Sequence, residues 1–215
     1  MKPYYEHAGI TIYHGDCREV LPTVTADLLW TDPPFSVPVK YHDTDGNFPR
    51  SWGDLFEAAR KCLTLRAQTY VCCDQNTYPI FYKAAMPYWE KSQLIVWYKP
   101  TGRRGTGWKH AHELLLGLFG PYTEFSDGFR QDVIGIMPAR TLDREHPAEK
   151  PGELWDFISE AATASHEIVC DPFMGSGSTL ELAKKQGRRA IGIEIEEKYC
   201  EIAVKRLSQE VFSFE

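Results

Sequence analysis

The stretch Asp171-Pro172-Phe173-Met174-Gly175-Ser176-Gly177-Ser178-Thr179 constrains the fold more than any other part of this chain. The apolar, β-branched segment Glu167-Ile168-Val169-Cys170 precedes it. Leu180, Leu182 and Ala183 then open a helical apolar face that stops at Gly187. The pattern is strand, glycine-rich turn, helix. Two glycines two residues apart let the backbone bend sharply and approach a ligand closely, because no Cβ intervenes. The helix beyond them offers unpaired N–H groups and the positive end of its dipole. A nucleotide-like ligand carrying a carboxylate or phosphate suits such a turn, although a plain tight turn reads the same way. The Lys-Ser/Thr ending of a phosphate-cradling P-loop is missing. So is the full dinucleotide fingerprint, which argues against a nicotinamide-dependent oxidoreductase.

The next strand narrows the choice. Ala190-Ile191-Gly192-Ile193-Glu194-Ile195 is an apolar run containing one acid near its end, about twenty residues beyond the turn. In strand–helix–strand nucleotide sites an acid at that place accepts hydrogen bonds from ribose hydroxyls. The alternative for Glu194 is a solvated acid in the first turn of a helix.

A second stretch near the amino end has the same character. Ala26-Asp27-Leu28-Leu29-Trp30 reads as a buried strand that runs into Thr31-Asp32-Pro33-Pro34-Phe35. Two prolines cannot extend a ladder and fix a stiff turn at the strand end. The turn presents a carboxylate (Asp32), proline carbonyls and an aromatic ring (Phe35). Together these could receive a flat group bearing an amine; a strand-ending turn with a capping Asp is the plainer reading. Ile10–His14 alternates as a short strand ending at Gly15-Asp16, which makes Asp16 a further nucleotide contact or an ordinary turn acid.

Between and after these stretches, strands and amphipathic helices alternate. Residues 19–25 read as a brief helix or turn, 36–52 as a long loop, and Leu55, Ala59, Cys62 and Leu63 as one helical face. Strands are expected at 68–73, 94–98, 112–119 and 131–137, and a helix at 77–86. Residues 138–150 are polar and irregular. Leu154, Phe157, Ile158, Ala161 and Ala162 mark a helix, and a last helix over 196–209 should turn Tyr199, Ile202, Ala203 and Leu207 inward. The implied fold is α/β and Rossmann-like, a mostly parallel sheet with helices on both faces. Ligands bind at the carboxyl ends of the strands in such sheets. Asp16, Asp32–Phe35, Asp171–Gly177 and Glu194 would then gather along one edge.

The length of 215 residues suits a single domain over 1–215. No apolar run is long enough to span a membrane and no leader follows Met1, so a cytoplasmic protein without membrane contact is expected. Six cysteines without a C-x-x-C spacing give neither a disulfide framework nor a zinc site, and no metal is expected. The net charge of −6 speaks mildly against a nucleic-acid partner, but its distribution matters more. Lys99, Arg103, Arg104 and Lys109 fall in one glycine-rich stretch with Trp108 and no acid. That stretch is either a solvated loop or a backbone-phosphate contact with a stacking ring.

Three motifs in this order give a resemblance: Asp32-Pro33-Pro34-Phe35, His146-Pro147-Ala148-Glu149-Lys150-Pro151, and Asp171-Pro172-Phe173-Met174-Gly175-Ser176-Gly177. Over about residues 10–207 the chain resembles the β-class DNA amino-methyltransferases, in which the catalytic motif precedes the cofactor motif (a permuted order). The resemblance implies methyl transfer from S-adenosylmethionine to an exocyclic amine of double-stranded DNA, on a base flipped out of the helix. It implies that Asp171, Pro172, Phe173, Gly175, Ser176 and Gly177 form the cofactor loop. Glu194 would hold the ribose, Asp16 would face the cofactor's adenine amine, and Lys150 would lie near the pocket. Asp32 and the Pro33 carbonyl would accept from the target amine, with Pro34 stiffening the turn and Phe35 stacking on the base.

The Asp before Pro-Pro favours N6 of adenine; N4 of cytosine is the alternative, and a DNA-binding module with a vestigial cofactor site is another. Larger relatives of this class carry a target-recognition region where this chain has only about residues 120–145. Recognition is then expected to be short, shared among DNA-facing loops at 36–52 and 99–145, or supplied by a second subunit in a homodimer. No nuclease motif is visible. A site-specific methylase acting alone or beside a separate nuclease, in the manner of restriction–modification, is the expectation.

Overall fold

Strand β3 (Ala26–Thr31) is the middle strand of the sheet, and the site is organised around its carboxyl end. The computed structural model describes residues 1–34, 48–105, 107–125, 130–138, 150–162 and 167–208, without the side chains of 48–51, 103 and 104. The other strands are β1 (Tyr5–His7), β2 (Ile10–His14), β4 (Leu63–Cys73), β5 (Lys91–Arg104), β6 (Lys109–Phe119), β7 (Val133–Gly135), β8 (Ile168–Asp171) and β9 (Arg189–Glu194). Among the described residues they form one sheet in the order β1-β2-β9-β8-β3-β4-β6-β5-β7. The run from β2 through β9, β8 and β3 to β4 is parallel throughout, while β6 is antiparallel to both β4 and β5. The sheet is therefore mostly parallel, as the alternation of strands and helices implies.

Alternating side chains divide the core into two layers. Leu28 and Trp30 of β3 pack toward α4 (Gly152–Ala162), α5 (Ser178–Lys185) and α6 (Glu197–Ser208), with Trp155, Ile158, Leu180, Ala203 and Leu207. Trp30 and Trp155 meet edge to face, with ring centroids 5.8 Å apart. Leu29 packs the other way, toward α1 (Cys17–Val20), α2 (Phe48–Cys62) and α3 (Tyr78–Ala85), with Val20, Phe56, Phe81, Cys170 and Ile193. Buried on both sides, β3 reads as a nearly continuous apolar run.

The chain leaves β8 toward β9 on one side and β3 toward β4 on the other. The strand order reverses at the β8–β3 pair, which opens a crevice at their carboxyl ends. The pairs Leu28↔Val169 and Leu29↔Cys170 hold those two ends at nearly the same height.

Several boundaries differ from the sequence reading. Helix α2 begins at Phe48, inside the stretch read as a loop, and residues 36–47 lie outside the described residues. Pro49 is tolerated there because the first helical turn needs no N–H from it. Leu63 opens β4 instead of closing the helix. Strand β5 extends to Arg104 and pairs with β6 through Arg103↔His110 and Arg104↔Lys109, so the basic stretch is a β-hairpin arm and not an open loop. Strand β7 has three residues where seven were expected. In α6 the inward positions are Cys200, Ala203, Arg206 and Leu207, while Ile202 is 41% exposed. Among the described residues no helix is long and apolar enough to cross a membrane.

Candidate active site

Two rigid corners meet at the reversal point. Asp171 ends β8, and Asp32 follows the last residue of β3. Pro33 and Pro172 line one small crevice, together with Thr31, Phe56 and Thr69. Asp171 is buried and accepts from the Phe173 N–H at 3.1 Å. Burial pushes its carboxyl up to about 7; the Thr179 hydroxyl, the Phe173 N–H and the Thr31 hydroxyl pull the other way, and the Asp32 charge adds to the rise.

The glycine-rich turn is anchored to the next strand. The Met174 N–H donates to the Ile193 carbonyl at 3.1 Å, and the Gly175 N–H donates to Glu194 Oε2 at 3.0 Å. Glu194 Oε1 accepts from the Glu196 N–H at 2.9 Å. Burial raises the Glu194 carboxyl, and these N–H donors partly offset it. Gly175 (φ +52°) and Gly177 (φ +81°) both take left-handed conformations. A Cβ at Gly177 would lie 2.7 Å from Ala203 Cβ, whereas one at Gly175 would meet nothing within 4 Å among the described residues. The turn is thus packed on its α6 side and open at Gly175. Ser176 and Phe173 are half-buried, and Phe173 packs on the α2 side of the sheet.

Asp16 sits close by, since the Gly15 N–H donates to the Glu194 carbonyl at 2.9 Å. Its carboxylate caps α1 through the Arg18 N–H at 2.8 Å and receives the Arg18 guanidinium at 3.0 and 3.1 Å. The hydrogen bonds from Arg18 hold its carboxyl below the usual range. That local partnership two residues away is a capping pattern visible in the sequence and not considered there.

A chain of alternating charges stands behind the proline corner. Lys150 Nζ donates to Asp32 Oδ2 at 2.6 Å and lies 3.4 Å from Glu113 Oε2. Lys99 Nζ donates to Glu113 Oε1 and lies 4.2 Å from the centre of the Trp97 ring. The side chains of Asp32 and Lys150 are 27% and 16% exposed. Burial drives the Asp32 carboxyl up and outweighs the opposing pull of Lys150. Burial acts downward on Lys150, but Asp32, Cys72 and Glu113 outweigh it and raise the ammonium. For Glu113, burial acts upward and the two lysines prevail, so its carboxyl is lowered.

The expected basic set is therefore divided. Lys99 faces the charge cluster, while Trp108 is 88% exposed and Lys109 is exposed beside it on the hairpin. The side chains of Arg103 and Arg104 lie outside the description, as does all of Phe35 and the stretch 139–149. Pro34 is described and half-buried. Glu113 was missed from sequence; its one trace is an acid at the head of the apolar run Leu114–Phe119.

Comparison with known proteins accords with this arrangement. Residues 123–205 match the DNA methylase family model. The Type II methyltransferase M2.DpnII of Streptococcus pneumoniae is 47% identical over 258 aligned positions, which cover 97% of this chain and 93% of the relative. The chain belongs to the DNA methylase family. Another member, the Type II methyltransferase M.ScaI of Streptomyces caespitosus, is 26% identical over 99% of this chain and 86% of its own length. In fold, this DNA methylase matches the crystal structure of the M1.HpyAVI–SAM complex, with a TM-score of 0.74 and 23% identity over 93% of this chain and all of that one. It matches the cytosine-N4-specific PvuII DNA methyltransferase equally well, with a TM-score of 0.74 and 17% identity over 99% and 91% of the two chains. The protein is thus an S-adenosylmethionine-dependent DNA methyltransferase.

Proposed function

We propose that this methyltransferase modifies N6 of adenine in double-stranded DNA, with Asp32 and the Pro33 carbonyl as acceptors for the target amine. The observation that carries the reading is the meeting of the Asp32-Pro33 and Asp171-Pro172 corners at the carboxyl ends of neighbouring strands. Adjacent strands lie about 4.8 Å apart, so a methyl donor held by one corner is within reach of an acceptor held by the other.

The residues present fit the cofactor. The open side of Gly175 lets a ligand come against the backbone, and Glu194, one residue pair away, offers carboxylate acceptors for ribose hydroxyls. The buried Asp171 carboxyl, which keeps its proton to about pH 7 by itself, would ionise more readily beside the cationic methionine end, and Ser176 and Phe173 complete the loop. Asp16, both of whose oxygens accept from Arg18, would share them between that guanidinium and an adenine amine. When bound, S-adenosylmethionine supplies an electrophilic methyl group.

The rest belongs to the chain. An exocyclic amine is a weak nucleophile because its lone pair is delocalised into the ring. Two acceptors at the proline corner draw on its hydrogens, favour a pyramidal nitrogen and localise that pair. Fixed alignment contributes much of the remaining acceleration. Asp32 need not take the proton early, since it can leave to solvent once the nitrogen has become tetrahedral. The target base must leave the duplex to reach this cleft. Asp before Pro-Pro supports adenine over cytosine, and the order of the motifs along the chain supports the permuted β-class.

Trp108 and Lys109 on the β5–β6 hairpin are proposed to contact DNA, with Arg103 and Arg104 on the same arm. The M2.DpnII alignment runs over more positions than this chain has, so that relative carries segments absent here. Recognition in this chain then rests on less protein. The test is nucleoside mass analysis of duplex DNA incubated with the protein and S-adenosylmethionine. N6-methyladenine, lost in Asp32→Ala with cofactor affinity kept, is the expected result. N4-methylcytosine would replace the adenine assignment, and equal loss of affinity and turnover in Asp32→Ala would remove Asp32 from its role.

A further inference from the structure

One oxygen of the carboxylate assigned to the target amine is already engaged. Lys150 Nζ lies 2.6 Å from Asp32 Oδ2, and an ammonium there weakens the carboxylate as an acceptor. It also sets a positive charge where the reacting nitrogen must itself become positive. A second carboxylate oxygen stands ready for that ammonium. Glu113 Oε2 is buried, accepts no hydrogen bond among the described residues, and lies 3.4 Å from Lys150 Nζ. Closing that gap to an ordinary 2.9 Å needs a shift of about half an ångström. Lys99 holds the other oxygen, Oε1, and is itself seated over the Trp97 ring, so the receiving carboxylate is fixed in place.

We propose that Glu113 is a positioning residue that draws Lys150 off Asp32 when the target amine enters. The exchange moves no proton and changes no charge among the described residues of the cluster. It frees Oδ2 of Asp32, strengthens that carboxylate as an acceptor for the amine, and carries the ammonium away from the nitrogen as that atom gains charge. Glu113 is given no contact with the target base or the cofactor, and its hydrogen-bonding route to Asp32 runs through Lys150. The proposal rests on the assignment of Asp32 as amine acceptor. Asp32→Ala, with cofactor affinity measured beside turnover, tests that assignment separately.

The test is single-turnover methylation of a duplex oligonucleotide with methyl-labelled S-adenosylmethionine, run as a cycle over Glu113→Gln and Lys150→Met. Glu113→Gln is expected to slow the step about tenfold, as coupled neighbours do, with cofactor and DNA dissociation constants within about twofold of wild type. Adding Glu113→Gln to Lys150→Met should slow it no further. An equal slowing by Glu113→Gln in both backgrounds would show a merely structural residue and overturn the proposal, as would cofactor affinity falling in step with rate. Glu113→Asp keeps a carboxylate for Lys99 and withdraws the oxygen from Lys150. It should match the defect of Glu113→Gln, and it decides the matter alone if Glu113→Gln fails to fold or Lys150→Met is too slow to measure. A full wild-type rate in Glu113→Asp overturns the exchange.

Discussion

Gly177→Ala should damage this protein twice over, and the two parts can be separated. The backbone there is left-handed, at φ +81°, which costs a residue with a Cβ about 1–2 kcal/mol. The new methyl would stand 2.7 Å from Ala203 Cβ and 3.3 Å from Ala203 Cα, too close for either side to give way without moving α6. Overpacking of this kind costs about 1–3 kcal/mol. The expected loss is about 2–5 kcal/mol out of a total stability of about 5–15. In a chain of this length that lowers the melting temperature by roughly 10 °C. Ala203→Gly removes the opposing methyl and by itself costs about 1 kcal/mol as a mid-helix glycine. The double variant should therefore be more stable than the two single losses added together, by about 1–3 kcal/mol. Urea unfolding followed by circular dichroism on all four proteins measures this coupling. Strict additivity would mean that Gly177 and Ala203 do not touch, and that the turn is not packed on α6.

Other outcomes follow from the same geometry. Folded Asp171 keeps its proton to about pH 7, whereas an unfolded Asp releases it near pH 4, at about its ordinary value. Between those values the native state binds more protons, so stability falls as pH rises, by at most about 1.4 kcal/mol per pH unit from this group. Asp171→Asn should flatten urea-unfolding stability between pH 5 and 7; an unchanged slope would contradict the burial described. Glu194→Gln, which replaces a charged acceptor of the Gly175 N–H, should weaken cofactor binding by about tenfold or more in calorimetric titration. Unaltered affinity would take Glu194 out of the cofactor site. Lys109→Ala should weaken DNA binding and reduce its salt slope by about one unit, and Trp108→Ala should weaken binding with the slope kept. An unchanged slope for Lys109→Ala would remove the hairpin from the interface.

What could be read from the sequence was what the local code controls. The two glycines, the Pro-Pro pair and the acids at strand ends each stand beside the apolar run that positions them. The α/β alternation then puts those ends along one edge. Hairpin arms were harder, because the outer parts of β5 and β6 carry charged residues and lack an apolar period to mark them as strand. Helix α6 turned Arg206 inward and Ile202 outward, since the face is set by contact with α5 and β2 and not by hydrophobicity at each position. The ion cluster could not be read at all. Its members lie at 32, 99, 113 and 150, on segments that only the finished sheet brings together.

The strand order also bears on how the protein is made. Strands β2 and β3 are synthesised early and close together, yet in the sheet they are separated by β8 and β9, which emerge from the ribosome last. The growing chain must carry two unsatisfied strand edges through most of its translation, with a gap two strands wide between them. A message cut short before residue 189 would release a polypeptide with that gap still open, prone to pair with another of its kind instead of folding.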